Sequence, residues 1–377
     1  MTLRKNLLSL QRLNNKAMQK KMTLESAYKK WQALQPLSQR DKERISRKFS
    51  VDFNYNSNHI EGNTLTYGQT ELLLLFGRVV AEAEMKDLEE MKASEVGLLM
   101  MQEEARLKDY PLTETFIRQL HKTLLREDYE VYRNLPGGVI TSYTIHAGRY
   151  KTRPNSVITR YGDRFEYASP EETPILMKEL VEWYNAAESR KMYHPADLAI
   201  LFHYRYIRIH PFEDGNGRIA RLLVNYILAR HNYPMVVVRS RKKQEYLEAL
   251  HQADLKVGTA PSDGASATLD QIQPFADYFR QMMADEISMS IKYVSEKEEH
   301  VWWYDGEYIV VSNENTLAIL KLLMANPRIT VRELTEAVGI NKSAIQRQLK
   351  QMTEKGWIIS PQSPASRWHV IIKPSMQ

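Results

Sequence analysis

A twelve-residue segment, from His210 to Arg221, contains most of the side chains in this sequence that are suited to chemistry. Histidine has an ordinary pKa near neutrality, so His210 is suited to take a proton from a nucleophile. The run Gly215-Asn216-Gly217 can direct consecutive backbone N–H groups at an anion, because glycine tolerates the positive φ that such a turn needs. Apolar residues at helical spacing follow, so the turn leads into a helix N-terminus. This combination predicts a site for the phosphates of a nucleotide.

Two arginines and one aspartate complete the predicted phosphate site. Arg218 and Arg221 are three positions apart, so they share one helix face and can both reach oxygens of one polyphosphate. Asp214 lies at the mouth of the turn, where a carboxylate is suited to hold a Mg²⁺ ion that bridges phosphates. We include Ile219 and Ala220, which lie between the arginines, in the predicted nucleotide-binding set. The alternative is an ordinary joint between a loop and a helix, with surface arginines.

The same segment, His210-Pro-Phe-Glu-Asp-Gly-Asn-Gly-Arg-Ile-Ala-Arg221, matches the Fic motif H-x-F-x-D/E-G-N-G-R-x-x-R at every defined position. The chain therefore resembles the Fic family, over roughly residues 50 to 257. The resemblance implies an enzyme that transfers AMP from ATP to a Ser, Thr or Tyr hydroxyl of a protein and releases pyrophosphate. It implies that His210 is the general base, that Asp214 binds Mg²⁺, and that Phe212 anchors the loop. The glycine turn and both arginines would hold the phosphates.

A second motif, Ser57-Asn58-His59-Ile60-Glu61-Gly62, resembles the inhibitory pattern of this family, S/T-x-x-x-E-G/N. The spacing predicts that Ser57 and Glu61 share one face of a helix. If that helix packs over the site, Glu61 can pair with Arg221 and place a carboxylate where the γ-phosphate must lie. The resemblance implies autoinhibition by Glu61, and in some relatives the same glutamate positions a water that removes AMP. A surface glutamate with a local ion pair is the alternative.

A hairpin and a tyrosine are further candidates for contact with ATP or with a target. Residues 157–167 carry two β-prone triplets on either side of a Tyr-Gly-Asp turn, a pattern typical of a β-hairpin. It resembles the flap of Fic domains, which docks the target protein by strand addition, and Val157 and Ile158 would touch the nucleotide or the target. Tyr246 resembles a tyrosine that lines the nucleotide pocket. A plain structural hairpin and a core tyrosine are the alternatives.

Residues 301–377 have the pattern of a small separate domain. Three short helical patterns are followed by apolar runs around Trp357 and Trp368 that suit strands, and the whole resembles a winged helix-turn-helix. The third helix offers a polar face to solvent: Asn341, Lys342, Ser343, Gln346 and Arg347. Such a face suits the major groove of DNA. A protein–protein or dimerisation module is the alternative.

Composition and residue spacing limit the other functions and binding sites that this sequence can have. The net charge of +6 permits contact with nucleic acid without requiring it. The chain has no cysteine, which excludes disulfides and thiolate metal sites and fits a reducing, cytoplasmic compartment. No apolar run approaches the length of a membrane span, so we expect no membrane contact. His203 and His210 are seven apart but lack a carboxylate at ligand spacing, so we predict a packed His203 rather than a zinc site.

We therefore predict a mostly α-helical, multidomain enzyme with a Fic-type helical domain, a short β-hairpin flap and a C-terminal winged helix domain. The predicted boundaries are as follows: an N-terminal helical region at 1–110 with the inhibitory helix around 57–62, a Fic catalytic core at 111–257, a linker and connecting helix at 258–300, and the winged helix domain at 301–377. Two other functions stay open: a DNA-binding regulator whose Fic pocket senses nucleotide, and an enzyme that mainly removes AMP. A homodimer is also left open.

Overall fold

The structure is a computed structural model that describes residues 22–79, 83–134, 140–158, 164–296, 298–304, 307–361 and 367–374. Helices dominate the described part, and the strands are short, which confirms the predicted fold class. The chain divides into two compact units. One comprises Ser46–Ser288 with the described residues of Met1–Leu37, and the other comprises Ser38–Ile45 with Met289–Gln377. The predicted winged helix domain lies within the second unit.

The described chain begins with a series of helices. These helices are α1 (Leu24–Ala33), α2 (Gln39–Ile60), α3 (Tyr67–Phe76), α4 (Met85–Arg106) and α5 (Glu114–Leu125). The hydroxyl of Thr66 accepts from the backbone N–H of Gln69 in a capping box that begins α3, and Gly77 ends this helix at a φ of 63°. The predicted helical character of this N-terminal region is confirmed for its described residues.

Two antiparallel hairpins follow α5. Strands β1 (Tyr129–Asn134) and β2 (Ile140–Ile145) form the first, and β3 (Ser156–Ile158) and β4 (Arg164–Glu166) form the second. The second hairpin is the predicted flap, and its register places Val157 opposite Phe165. Residues 159–163 and the side chains of Val157 and Ile158 lie outside the described part, so the predicted contacts of these two side chains stay predictions.

The core of the first unit lies around three helices, α6 (Thr173–Ser189), α7 (Pro195–Ile209) and α8 (Asn216–Arg230). Nearly every residue of α7 and α8 is buried, as expected of helices that are apolar on most of their circumference. The short loop between them contains the residues predicted to do chemistry. This loop therefore joins the two most buried helices of the unit, which fixes its ends.

The segment after α8 corrects one prediction. It forms α9 (Lys243–Val257), the short α10 (Pro261–Ala265) and α11 (Gln273–Ser295). The Gly- and Ser-rich stretch at 258–266, predicted as a loop or linker, instead packs on α7 through α10. Nη2 of Arg208 donates to the carbonyl oxygens of Gly258 (2.8 Å) and Ala260 (2.9 Å). Buried arginines on α7 thus hold this stretch, a long-range effect that its composition does not reveal.

The second unit has the winged helix arrangement that the sequence predicts. Its elements are β5 (Val301–Tyr304), β6 (Glu307–Val310), α12 (Glu314–Ala325), α13 (Val331–Val338), α14 (Lys342–Glu354), β7 (Ile358–Ile359), β8 (His369–Val370) and β9 (Lys373–Pro374). Strands β6, β5 and β9 form one sheet in that order, and β7 pairs with β8. Trp302, Leu320, Leu334 and Ile345 lie in its core. Asn341 caps α14, whose exposed face carries the polar residues named above.

Candidate active site

The buried side-chain amide of Asn216 helps to hold the loop between α7 and α8 in shape. His210 ends α7 with φ 52° and ψ 61°, and its N–H donates to the carbonyl oxygen of Tyr206 (2.9 Å). The side chain of Asn216 accepts from the N–H of Phe212 (3.0 Å) and donates to the carbonyl oxygen of the same residue (2.7 Å). Asn216 was predicted among the ATP-binding residues. Its side chain is hydrogen-bonded to the backbone of the loop, so it stabilises the shape of the site.

His210 has the environment of a neutral base. Its ring stacks on Tyr167 with the ring centres 3.9 Å apart. Burial, together with the nearby charge of Lys151, lowers the pKa of His210 to about 3. The imidazole is therefore neutral at neutral pH and free to accept a proton. Its Nδ1 atom is buried, and a hydrogen bond to the backbone of Ile207 opposes the lowering of this pKa.

The N-terminus of α8 has the features of an anion site. Gly215 precedes it with φ 75°, in the left-handed region that favours glycine. The guanidinium of Arg218 is buried, with Nη2 3.8 Å from Oδ2 of Asp214. Among the described residues, Nε of Arg218 has no hydrogen-bond partner. The side chains of Ile219 and Ala220 are buried in the core, so only their backbone can belong to the predicted ATP-binding set.

Asp214 remains accessible at the mouth of this site, with 47% of its side chain exposed. Its Oδ2 accepts from the Tyr129 hydroxyl (2.7 Å), and its Oδ1 accepts from the N–H of Gly215 (2.6 Å). Burial opposes ionisation, but the Tyr129 hydrogen bond and the charge of Arg218 keep the pKa of Asp214 below its ordinary value. The described residues hold no cluster of three acids or histidines that could bind a metal. One accessible carboxylate fits Mg²⁺ that takes most ligands from phosphates and water.

Arg221 is already occupied by the predicted inhibitory motif. Its Nε donates to Oγ of Ser57 (3.0 Å), and its Nη2 donates to the Ser57 carbonyl oxygen (2.9 Å) and to Oε1 of Glu61 (2.6 Å). Burial would raise the pKa of Glu61, but the charge and hydrogen bond of Arg221 hold it below its ordinary value. The predicted pairing of Glu61 with Arg221 is therefore present in the structure.

One detail of that prediction is wrong. Helix α2 ends at Ile60, so Glu61 lies in the turn after the helix and not on its face. The N–H of Glu61 donates to the carbonyl oxygen of Asn58 (2.9 Å), which tightens the chain there. A Cβ atom placed at Gly217 would overlap the Glu61 carboxylate. The carboxylate thus lies directly on the glycine turn where the phosphates are predicted to bind.

The end of α2 is anchored from several sides. The buried Asp52 accepts from Lys48 (2.7 Å) and from the hydroxyl of Tyr67 (2.7 Å), and it pairs with Arg239 (3.0 Å). Nζ of Lys243 donates to the carbonyl oxygen of Ile60 (2.6 Å), immediately before Glu61. The contacts made by Arg239 and Lys243 come from a distant part of the sequence. They hold the motif against the site without any contribution from ligand.

Tyr246 lies in the core. Its ring is buried and packs against Phe275, and its hydroxyl is hydrogen-bonded to Nε2 of His203 (2.9 Å). This arrangement favours the core alternative for Tyr246, and its contact with nucleotide stays a prediction. Burial lowers the pKa of His203 to about 3. His203 is therefore a packed, neutral residue, as predicted.

Two functional residues were missed by sequence reasoning. His121 stacks on Phe212 with ring centres 3.7 Å apart, and its Nε2 contacts the carbonyl oxygen of Asp214 (3.0 Å). Lys151 donates from Nζ to the carbonyl oxygen of His210 (2.9 Å). Neither residue lies in a motif with diagnostic spacing, and both act through the backbone of the loop. Only the fold brings them to the site.

Comparisons with known proteins agree with this geometry. Residues 111–228 match the Fic/DOC family, and residues 312–359 match a winged helix-turn-helix DNA-binding family. A crystal structure of a Fic domain containing signaling protein from Bacteroides thetaiotaomicron is similar, with 52% identity and a TM-score of 0.67. The match covers 72% of this chain and 96% of that chain. The chain therefore belongs to the Fic/DOC family.

Curated relatives carry names that describe an activity. The chain is 31% identical over 213 residues to Protein adenylyltransferase fic-1 of Caenorhabditis elegans, and 31% identical over 200 residues to Protein adenylyltransferase Fic of Nematostella vectensis. These matches cover 56% and 53% of this chain but only 38% and 42% of the relatives' own lengths. A solved structure of Fic-1 from C. elegans matches with a TM-score of 0.54 and 25% identity, over 77% of this chain and 76% of that one. None of the helices that the structure describes is long and apolar enough to cross a membrane.

Proposed function

We propose that this protein transfers AMP from ATP to a Ser, Thr or Tyr hydroxyl of a target protein and releases pyrophosphate. One observation carries the proposal: the neutral His210 and the buried Arg218 and Arg221 lie together on one loop and the helix N-terminus that follows it. The relatives named protein adenylyltransferase support the same reaction. ATP is the substrate, and a target segment docks along the 157–167 flap as an added strand.

His210 acts as the general base. Its Nδ1 is buried, which leaves Nε2 to take the proton from the attacking hydroxyl. The hydroxyl oxygen forms a bond to the α-phosphorus, the bond from that phosphorus to the bridging oxygen breaks, and pyrophosphate leaves with the electron pair. The low pKa of His210 keeps the imidazole unprotonated when the hydroxyl arrives. Its weak basicity suits a proton transfer that follows the formation of the new bond.

The N-terminus of α8 holds the phosphates. Arg218 and Arg221 contribute positive charge, and the backbone N–H groups of the Gly215–Gly217 turn contribute donors. Asp214 would hold Mg²⁺, which neutralises charge on the α- and β-phosphates when it is bound. Most of the catalysis is then positioning and charge stabilisation. Loss of one such donor costs about 3 kcal/mol in reactions of this kind.

Glu61 represses the reaction. Arg221 cannot bind the γ-phosphate while it donates to the carboxylate of Glu61, and that carboxylate repels a phosphate at the glycine turn. ATP then binds with its α-phosphate out of line with the attacking hydroxyl. Removal of AMP from a modified protein is the second candidate reaction. Its support is the Glu61 carboxylate beside the Gly217 turn, which could position a water there.

A DNA-binding regulator is the alternative from another class. It is favoured by the exposed polar face of α14 and by the match of residues 312–359 to a DNA-binding family. In that case the first unit would sense nucleotide, and the second unit would read DNA through Lys342 and Arg347.

The test is label transfer by the Glu61→Gly variant from ATP labelled on the α- or the γ-phosphate. The α-label is expected on protein and the γ-label in released pyrophosphate. Transfer of the γ-label to protein would mean phosphorylation. The result that would overturn the proposal is transfer of neither label to this chain or to lysate proteins, together with binding of one DNA sequence with steep salt dependence. The hypothesis of a DNA-binding regulator would then replace the proposed enzyme.

A further inference from the structure

Residues 151–155, just before the flap, donate hydrogen bonds to carbonyl oxygens of the loop between α7 and α8. Nζ of Lys151 donates to the carbonyl oxygens of Ile209 (3.1 Å) and His210 (2.9 Å). The backbone N–H of Lys151 donates to the carbonyl oxygen of Pro211 (2.9 Å). Nδ2 of Asn155 then donates to the carbonyl oxygen of Phe212 (3.0 Å). Carbonyl oxygens of consecutive residues, from Ile209 to Phe212, are therefore bound by residues of one segment.

These carbonyl oxygens need partners for two reasons. The last carbonyls of a helix have no partner within the helix, and a buried carbonyl without one is costly. In addition, His210 has a φ of 52°, a conformation that costs a non-glycine residue about 1–3 kcal/mol and persists only when its surroundings enforce it. A cation at the C-terminal end of α7 also interacts favourably with the helix dipole.

Lys151 is an unusual residue for this task because it is buried, with only 3% of its surface exposed. Its ammonium group has three donors, and all three go to neutral oxygens, the third to Oδ1 of Asn155 (2.8 Å). Burial lowers the pKa of Lys151 to about 7, although the charge of Glu172 opposes this shift. Burying a lysine is unfavourable in itself. The position therefore needs an ammonium group, since a smaller apolar residue would leave the carbonyl oxygens unbound.

We propose that Lys151 is a positioning residue for His210. By binding the carbonyl oxygens on both sides of the turn, its ammonium group holds the histidine in the left-handed conformation that presents the imidazole to the target hydroxyl. Below its pKa of about 7, the positive charge of Lys151 has a second effect, because it favours the neutral imidazole over the imidazolium beside it. This inference rests on the proposed function for the role of His210 as base, but not for the contacts themselves.

The kinetic test uses the Glu61→Gly background, in which transfer is expected to be measurable. Lys151→Met removes the charge and the donors, and Lys151→Arg keeps both. Lys178→Met is the matched control, because the Lys178 side chain is 69% exposed. Lys151→Met is expected to lower kcat by about 10- to 100-fold, with KM for ATP changed less than about 2-fold, because a misplaced base affects chemistry more than binding. Lys151→Arg should recover most of that loss, and the control should show none.

A second readout does not depend on transfer. The pKa of the His210 imidazole is measured by NMR in the wild type and in Lys151→Met, with His210→Gln to assign the signals. We expect this pKa to rise in Lys151→Met but to stay below its ordinary value, because a positive charge is lost while burial remains and Glu61, Asp214 and the Tyr167 ring still face the imidazole. An unchanged pKa together with an unchanged kcat would overturn the proposal.

The outcomes of the two readouts separate the two proposals. If the pKa rises but the Glu61→Gly variant transfers no AMP, the proposed function fails and the positioning role of Lys151 stands. If Lys151→Met does not fold, Lys151→Arg carries the test. A folded arginine variant that loses transfer as completely as His210→Ala would contradict the assignment.

Discussion

Arg221 and Glu61, separated by 160 positions in the sequence, are joined by a hydrogen bond of 2.6 Å between Nη2 and Oε1. The arginine is buried, whereas 40% of the glutamate side chain is exposed. The pair therefore has one fixed partner and one that solvent or a ligand can reach. Under the proposed function, a carboxylate and a phosphate would compete for the same guanidinium, so the state of this pair would decide whether ATP can bind productively.

Removal of the Ser57 hydroxyl should weaken the inhibition without abolishing it. In Ser57→Ala, Nε of Arg221 loses one acceptor, while the Ser57 carbonyl oxygen and Glu61 still hold Nη2. A hydrogen bond to a charged group contributes about 1.5–3 kcal/mol. We expect AMP transfer to rise by up to about 10- to 150-fold, the factor to which this free energy corresponds, and by less than in Glu61→Gly. A variant as active as Glu61→Gly, or one as inactive as the wild type, would contradict this account of the arginine's contacts.

Asn216 should matter for the shape of the loop more than for contact with ATP. In Asn216→Ala, the buried N–H of Phe212 loses its side-chain partner, and the Phe212 carbonyl oxygen keeps only its bond from Asn155. We expect the free energy of unfolding to fall by about 1–3 kcal/mol, with a large loss of kcat in the Glu61→Gly background. The measurements are denaturant unfolding and steady-state kinetics. An unchanged stability with a raised KM for ATP would instead identify Asn216 as a ligand contact.

The tyrosine and the aspartate at the mouth of the site should respond differently to substitution. Asp214→Asn removes the carboxylate suited to Mg²⁺, and transfer should fall at least about 100-fold in the Glu61→Gly background. Tyr129→Phe removes only the hydroxyl that donates to Oδ2 of Asp214, so transfer should persist. The measurement is the initial rate as a function of Mg²⁺ concentration. Equal losses of transfer in the two variants would show that Asp214 contributes through its hydrogen bond with Tyr129 and not by binding a metal.

Stability should decrease in acid because His203 is buried and neutral. Its pKa is about 3 in the fold, below the ordinary value of 6.5, so the unfolded chain binds more protons between these limits. Stability therefore rises with pH through this window, and it is lost as the pH falls below 6.5. Between pH 7 and pH 5, this histidine alone should cost about 2 kcal/mol.

The check is the pH dependence of denaturant unfolding in the wild type and in His203→Gln. The substitution changes absolute stability through packing, but packing loss is the same at both pH values. The difference between pH 7 and pH 5 should shrink in His203→Gln. The same pH dependence in both proteins would show that His203 is not held neutral.

The sequence predicted those parts of the site whose residues are neighbours in the chain. His210, Asp214, Arg218 and Arg221 lie on one loop and one helix turn, so their spacing largely determines their relative placement. The pairing of Glu61 with Arg221 is a long-range contact, and it was predictable only through a second motif that resembles a family pattern. The physical contact confirms the pairing but puts Glu61 after the helix and not on it.

Other features depended on contacts that no local pattern encodes. Lys151 and His121 contact backbone carbonyl oxygens of the loop between α7 and α8. Every residue has a carbonyl oxygen, so the sequence does not indicate which one a given side chain will contact. The stretch at 258–266 has the composition of a linker but is bound by Arg208 from α7. Strands β5 and β6 were not identified because their pattern is short and, among the described residues, β5 pairs with β6 and with the distant β9.

The most direct test of the account is the initial rate of AMP transfer from α-labelled ATP by the wild type, Glu61→Gly, and Glu61→Gly combined with His210→Ala. Glu127→Gly is the matched control, because Glu127 is an exposed loop glutamate. We expect strong labelling only in Glu61→Gly, and wild-type rates in the control. Equal rates in the wild type and Glu61→Gly, or full labelling without His210, would contradict an enzyme with His210 as its base and Glu61 as its inhibitor.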